Sequence, residues 1–110
     1  MQPVYIVRGS TPTIQIKFKT VDVRQLTKAV LVIKQCEMPV IALNEERCTI
    51  DEETGSISFK LTQTETLELN KYKLAVLSCD WLCNDGTRGR SKELACRVED
   101  PANEGVIENE

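Results

Sequence analysis

Hydrophobic and polar positions alternate along much of this chain. In TIQIKFK (13–19), Ile14, Ile16 and Phe18 share one face of an extended segment, and Gln15, Lys17 and Lys19 share the other. Period-two alternation of this kind marks a half-buried strand. SISFKLT (56–62) repeats it, with Ile57, Phe59 and Leu61 set against Ser58 and Lys60. KAVLVIKQ (28–35) is instead a continuous apolar run rich in β-branched residues, which predicts a strand covered on both faces. PVIAL (39–43) reads as its partner after a turn near Cys36–Pro39. VYIV (4–7), RCTI (47–50), YKLAVLSCDWLC (72–83) and RSKELACRVE (90–99) add further strands, separated by turn clusters such as GSTP (9–12) and DEETG (51–55). Thr62-Gln63-Thr64-Glu65 breaks the alternation with a capping box, so one helical turn is expected near 63–68. The pattern predicts an all-β domain of seven or eight short antiparallel strands, spaced as in a sandwich or a barrel.

NDGTRG, between the last two strand-like runs, carries the strongest hairpin signal, because Asp-Gly suits a two-residue type I′ turn. With Asp85-Gly86 at the turn, Leu77 faces Leu94, Ala75 faces Cys96 and Trp81 faces Arg90. Ala75, Leu77, Cys79 and Trp81 then share an apolar face with Leu94, Cys96 and Val98. The same geometry argues against a metal knuckle. Cys79 and Cys83 lie about 13 Å apart on a strand, whereas a zinc ion reaches a thiolate at about 2.3 Å. Cys79 and Cys96 are out of alignment for a disulfide, while Cys36 and Cys48 could meet across a sheet.

Trp81 is expected as a core anchor near the hairpin end, with Arg88 or Arg90 stacked over it. Left exposed, it would be the best contact hot spot. Arg88, Arg90 and Lys92 read as a solvated edge that discourages strand addition, or as a site for an acidic partner. Asp51, Glu52 and Glu53 lack the spacing of a calcium loop and read as turn residues. Tyr72 stands where immunoglobulin-like domains place a corner tyrosine.

Composition narrows the chemistry. The 110 residues include no His, which removes the commonest general base and metal ligand and weighs against an enzyme. The net charge of −3 gives no reason to expect nucleic acid. Residues 99–110 hold five acidic side chains and no basic one, so the body over 1–98 carries +2. The chain therefore divides into a domain over 1–100 and an acidic tail over 101–110, in which Val106 and Ile107 are the apolar contact candidates. No run suggests a membrane span or a signal peptide. The five cysteines are thus expected as thiols in a reducing compartment.

VYIVRGSTPTIQIKF, AVLVIKQ, ISFKLTQTETLEL and CDWLCNDGTRGRSKELACRVED, in that order and followed by EGVIE, resemble a family of small β-sandwich proteins. That family is encoded in the structural-gene modules of tailed phages and prophages of Firmicutes and other gut bacteria. The resemblance implies a single immunoglobulin-like β-sandwich. It also implies a non-enzymatic virion structural or assembly protein of the tail, baseplate or particle surface, present in the host cytoplasm before assembly. Expected partners are other phage structural proteins or copies of itself, with no nucleic acid, membrane, small-molecule substrate or cofactor. The candidate contact residues are Trp81, Arg88, Arg90, Val106 and Ile107. The alternatives are a small ligand- or carbohydrate-binding module and a phage-encoded inhibitor of a host protein.

Overall fold

The alternating segments pair into two sheets, described over residues 4–100 of a computed structural model. One sheet holds β2 (Thr13–Lys17), β6 (Ser56–Lys60) and β5 (Cys48–Asp51) in that order, all antiparallel. The other runs β1 (Val4–Val7), β9 (Leu94–Glu99), β7 (Ala75–Cys83), β3 (Leu26–Gln35), β4 (Met38–Leu43). A short β8 (Arg88–Arg90) pairs with β7 on the same side as β9, so the two are halves of one interrupted return strand. One pairing departs from the expected antiparallel pattern: β1 lies parallel to β9. Residues 8–12 carry the chain from β1 across to β2 in the other sheet, so β1 has no hairpin partner to reverse its direction.

The inner faces interdigitate as alternation requires. Phe59, Ile57 and Leu61 meet Leu31, Ile33, Leu77 and Cys79, all fully or almost fully buried. Burying each of the larger side chains contributes about 1.5–3 kcal/mol. The capping box forms as predicted at α1 (Gln63–Leu67): Glu65 N donates to Thr62 Oγ1 at 3.1 Å, and Thr62 N donates to Glu65 Oε1 at 2.8 Å. Arg47 clamps the same carboxylate through both terminal nitrogens, at 2.8 and 3.0 Å. Behind the helix, the buried Thr66 hydroxyl accepts from Gly9 N and donates to Ser10 O, both at 2.9 Å. That contact ties the crossover to the helix.

Three local expectations are corrected. The two-residue turn with both residues left-handed occurs at Cys36 (φ 54°) and Glu37 (φ 64°), closing β3 onto β4 with Gln35 opposite Met38. At the last hairpin only Gly86 (φ 91°) is left-handed. Cys83 N donates to Thr87 O at 2.8 Å and Gly86 N to Cys83 O at 3.0 Å, so the loop has three residues, Asn84 to Gly86. Asp85 stays out of the left-handed region, its carboxylate accepting from Thr87 N at 2.9 Å. Trp81 therefore faces Gly89, not Arg90, although Leu77–Leu94 and Ala75–Cys96 pair as predicted. The one-residue offset is absorbed at 91–93, where the Ser91 hydroxyl accepts from Cys79 N at 2.8 Å and bridges the interruption.

Tyr72 is not a corner tyrosine, being 83% exposed. The loop it belongs to is held from β3 instead. The buried Gln35 amide donates to Asn70 O (2.8 Å) and Lys73 O (3.0 Å), and its oxygen accepts from Asn70 N (2.9 Å). Finally, β3 is covered on one face only. Ala29, Leu31 and Ile33 are buried, while Val30 and Val32 point outward and are half-buried with no layer above them among the described residues.

Candidate functional site

The one-residue register difference separates the predicted contact residues. Trp81 continues the inward face of Ala75, Leu77 and Cys79, whereas Arg88 and Arg90 lie opposite Leu82 and Asp80 on the outward face. No arginine stacks on the indole. Trp81 is half-buried at the open end of the sandwich, where it makes an edge-to-face contact with Phe18 at 4.9 Å between centroids. Gly89 lies against the ring: a Cβ there would fall 2.4 Å from Cζ2 and 2.6 Å from Cε2. The indole Nε1 is buried and has no hydrogen-bond partner. Arg90 pairs with Asp80, Nε to Oδ1 at 2.8 Å, and Arg88 is exposed. Val106 and Ile107 lie outside the described residues.

What the outward face of the five-stranded layer brings together was not anticipated as a site. Val30 and Val32 from β3, Val76 from β7 and Ala95 from β9 form a diagonal apolar stripe, and Tyr5 from β1, 58% exposed, extends it. Asp80 and Ser78 of β7 lie directly opposite Val30 and Val32, and Leu82 stands apart between Lys28 and Arg88. Lys28, Lys34, Arg97 and the Asp80–Arg90 pair frame it. The signal was present in KAVLVIKQ, whose apolar run has residues for two covered faces. A sheet exposed to water on one side ordinarily alternates, with polar residues outward.

Three of the cysteines, Cys79, Cys83 and Cys96, are buried, and Cys36 is exposed. All five cysteines are free thiols. Burial pushes Cys79 and Cys96 up to about 11, which leaves them protonated and unreactive at neutral pH. Burial, followed by the charge of Glu45, also raises Cys48. Glu65 is held below the usual carboxylate range first by Arg47, and Asp100 first by Lys71 and then by Arg8. Among the described residues no group of three or more Cys, Asp or Glu side chains could hold a metal ion, and no helix is long and apolar enough to cross a membrane.

Strand order defines the class. A β2-β6-β5 sheet facing a β9-β7-β3-β4 sheet, with the first strand against the last, is the arrangement of an immunoglobulin-like β-sandwich. No known family profile and no curated protein matches the chain. Among solved structures, it is similar to the immunoglobulin-like domain of mouse leukocyte-associated immunoglobulin-like receptor 1, solved as a strand-swapped dimer. There the identity is 12% and the TM-score 0.48, over 87% of this chain and 86% of that one. It is also similar to Drosophila OTK extracellular domains 3–5, at 10% identity and a TM-score of 0.41, over 89% of this chain and 33% of that one.

Proposed function

We propose that this protein is a non-enzymatic interaction module that docks through the outward face of its five-stranded sheet onto another structural protein of a tailed-phage particle. The observation that carries the docking surface is the diagonal stripe of Val30, Val32, Val76 and Ala95, uncovered among the described residues, on a face that water-exposed antiparallel sheets fill with polar residues. The framing cations and the outward Tyr5 give it the apolar centre and polar rim of a protein–protein interface. The phage assignment is supported by the resemblance in segment order. A sugar-binding reading is weaker, because the only tryptophan is packed on Phe18 and Gly89 and offers no open platform.

The test is mass spectrometry of purified particles from the host strain, comparing wild type with V32D/V76D. The variant should keep its thermal unfolding midpoint within a few degrees and be absent from particles. A wild-type protein missing from particles, or a variant incorporated at the wild-type level, would refute the reading.

A further inference from the structure

Among the described residues, four strands end the two sheets, and they differ in what they offer a partner. β4 carries Pro39 and a bulge next to it, features that blunt an edge. β1 and β5 have four residues each. β2 is the exception. Pro12 O accepts from Leu61 N and Phe18 N donates to Gly55 O, so the even-numbered residues of this strand bond inward to β6. The backbone groups of Thr13, Gln15 and Lys17 consequently point away from the sheet. Beneath that edge lies a cleft of about 190 Å³ between the sheets, lined by Ile14, Ile16, Leu31, Leu77 and Leu94 and reaching the interruption at Ser91. Ile14 and Ile16 are half-buried, and among the described residues no strand pairs with this edge.

We infer that this edge receives the β2 strand of a second copy, antiparallel and across a two-fold axis at Gln15. The inference does not rest on the docking face proposed above, which belongs to the other sheet. In the register that pairs all five residues, Thr13 lies opposite Lys17 of the other copy and Gln15 opposite its own equivalent, and their outward N–H and C=O groups exchange hydrogen bonds. Ile14 then lies opposite Ile16 on the inward side, over the cleft, where non-hydrogen-bonded pairs bring side chains closest. No like charges are directly opposed: Lys17 meets Thr13 and Lys19 meets Thr11. The two Lys17 residues stand about 13 Å apart, four strand residues removed. Lysines that discourage indiscriminate strand addition thus leave this one self-pairing open. Five residues a side make a small interface, below the roughly 1,000 Å² of a stable complex, so the pair forms in the micromolar range or weaker.

Analytical ultracentrifugation of the full chain from about 10 μM to 1 mM tests this. The expected result is a reversible monomer–dimer equilibrium. T13K places a like charge opposite Lys17 at two symmetric positions and should weaken dimerisation about 2- to 30-fold, from the usual range for cross-strand pairs. T13K/K17E makes both positions complementary and should restore it. Q15P removes an N–H that bonds nothing within the chain's own sheet, so it should abolish the dimer while the monomer keeps its unfolding midpoint. A monomer throughout the concentration range overturns the inference. So does a dimer whose dissociation constant is the same in T13K and wild type.

Discussion

Replacing Gly89 by Ala places a methyl group inside the Trp81 ring, and the cost can be worked from the contact geometry. The new Cβ would stand 2.4, 2.6 and 3.0 Å from three ring atoms, where unstrained contacts begin at about 3.5 Å. The indole must therefore retreat by about 1 Å. Overpacking of this size costs about 1–3 kcal/mol. The retreat also disturbs the edge contact with Phe18, whose kind is worth about 0.5–1.5 kcal/mol. Against this, alanine restricts the unfolded chain and returns about 0.4–1 kcal/mol, since Gly89 does not occupy the left-handed region. The net loss expected is about 1–3 kcal/mol. At about 4–8 °C per kcal/mol for a domain near 100 residues, the shift is easily measured. The sign should depend on the ring. In a Trp81→Ala background the methyl group meets open space, and Gly89→Ala should become neutral or stabilising by up to about 1 kcal/mol. Urea unfolding of the wild type, both single variants and the double variant gives the coupling energy directly. A Gly89→Ala penalty of equal size in both backgrounds would refute the contact, and with it the observed register of Trp81 opposite Gly89.

Three further outcomes follow from other contacts. Cys36 and Glu37 both hold left-handed conformations in a turn that favours Asn-Gly, so C36N/E37G should raise stability by about 1–2 kcal/mol in thermal unfolding. Gln35→Met should cost about 2–4 kcal/mol by stranding Asn70 N and Lys73 O, while Asn70 O keeps its bond from Lys73 N; Tyr72→Ala should change stability by less than about 0.5 kcal/mol, and reversing that order would restore the tyrosine to the corner. Glu65 has a folded pKa below its unfolded one, so its contribution is complete above the unfolded value and is lost as pH falls through the folded value. E65Q keeps the capping box but removes the ionisation, and its unfolding midpoint should begin to approach that of wild type as pH falls below the ordinary Glu range and meet it below the folded value.

The parts of this fold that depend on period two are legible in the sequence. Ile14 and Ile16, Ile57, Phe59 and Leu61, and Ala75, Leu77 and Cys79 point inward as their alternation requires, and the Thr62–Glu65 box caps a helical turn. What failed depends on single side chains replacing backbone groups at long range. Asp85-Gly86 favours a two-residue turn locally. The Ser91 hydroxyl, bonding Cys79 N twelve residues away, admits the longer loop by absorbing one residue of offset. That offset moved Arg90 from beside Trp81 to beside Asp80. The corner misassignment has the same origin, since Gln35 lies thirty-five residues from the Asn70 that it holds.

The β2 edge and the apolar face bear on each other. A two-fold at Gln15, with the β2 strands side by side, continues one sheet across both copies and keeps their inward faces on the same side. The stripes of Val30, Val32, Val76 and Ala95, on the far side of the second sheet, then face the same direction. An edge pairing too small to be stable alone would present two docking faces to one surface. Binding of the first face places the second at an effective concentration in the millimolar range, when spacing allows both to engage. Dimerisation at β2 and docking through the apolar stripe would thus strengthen each other. T13K should then weaken attachment to a repeating partner surface more than attachment to an isolated partner subunit.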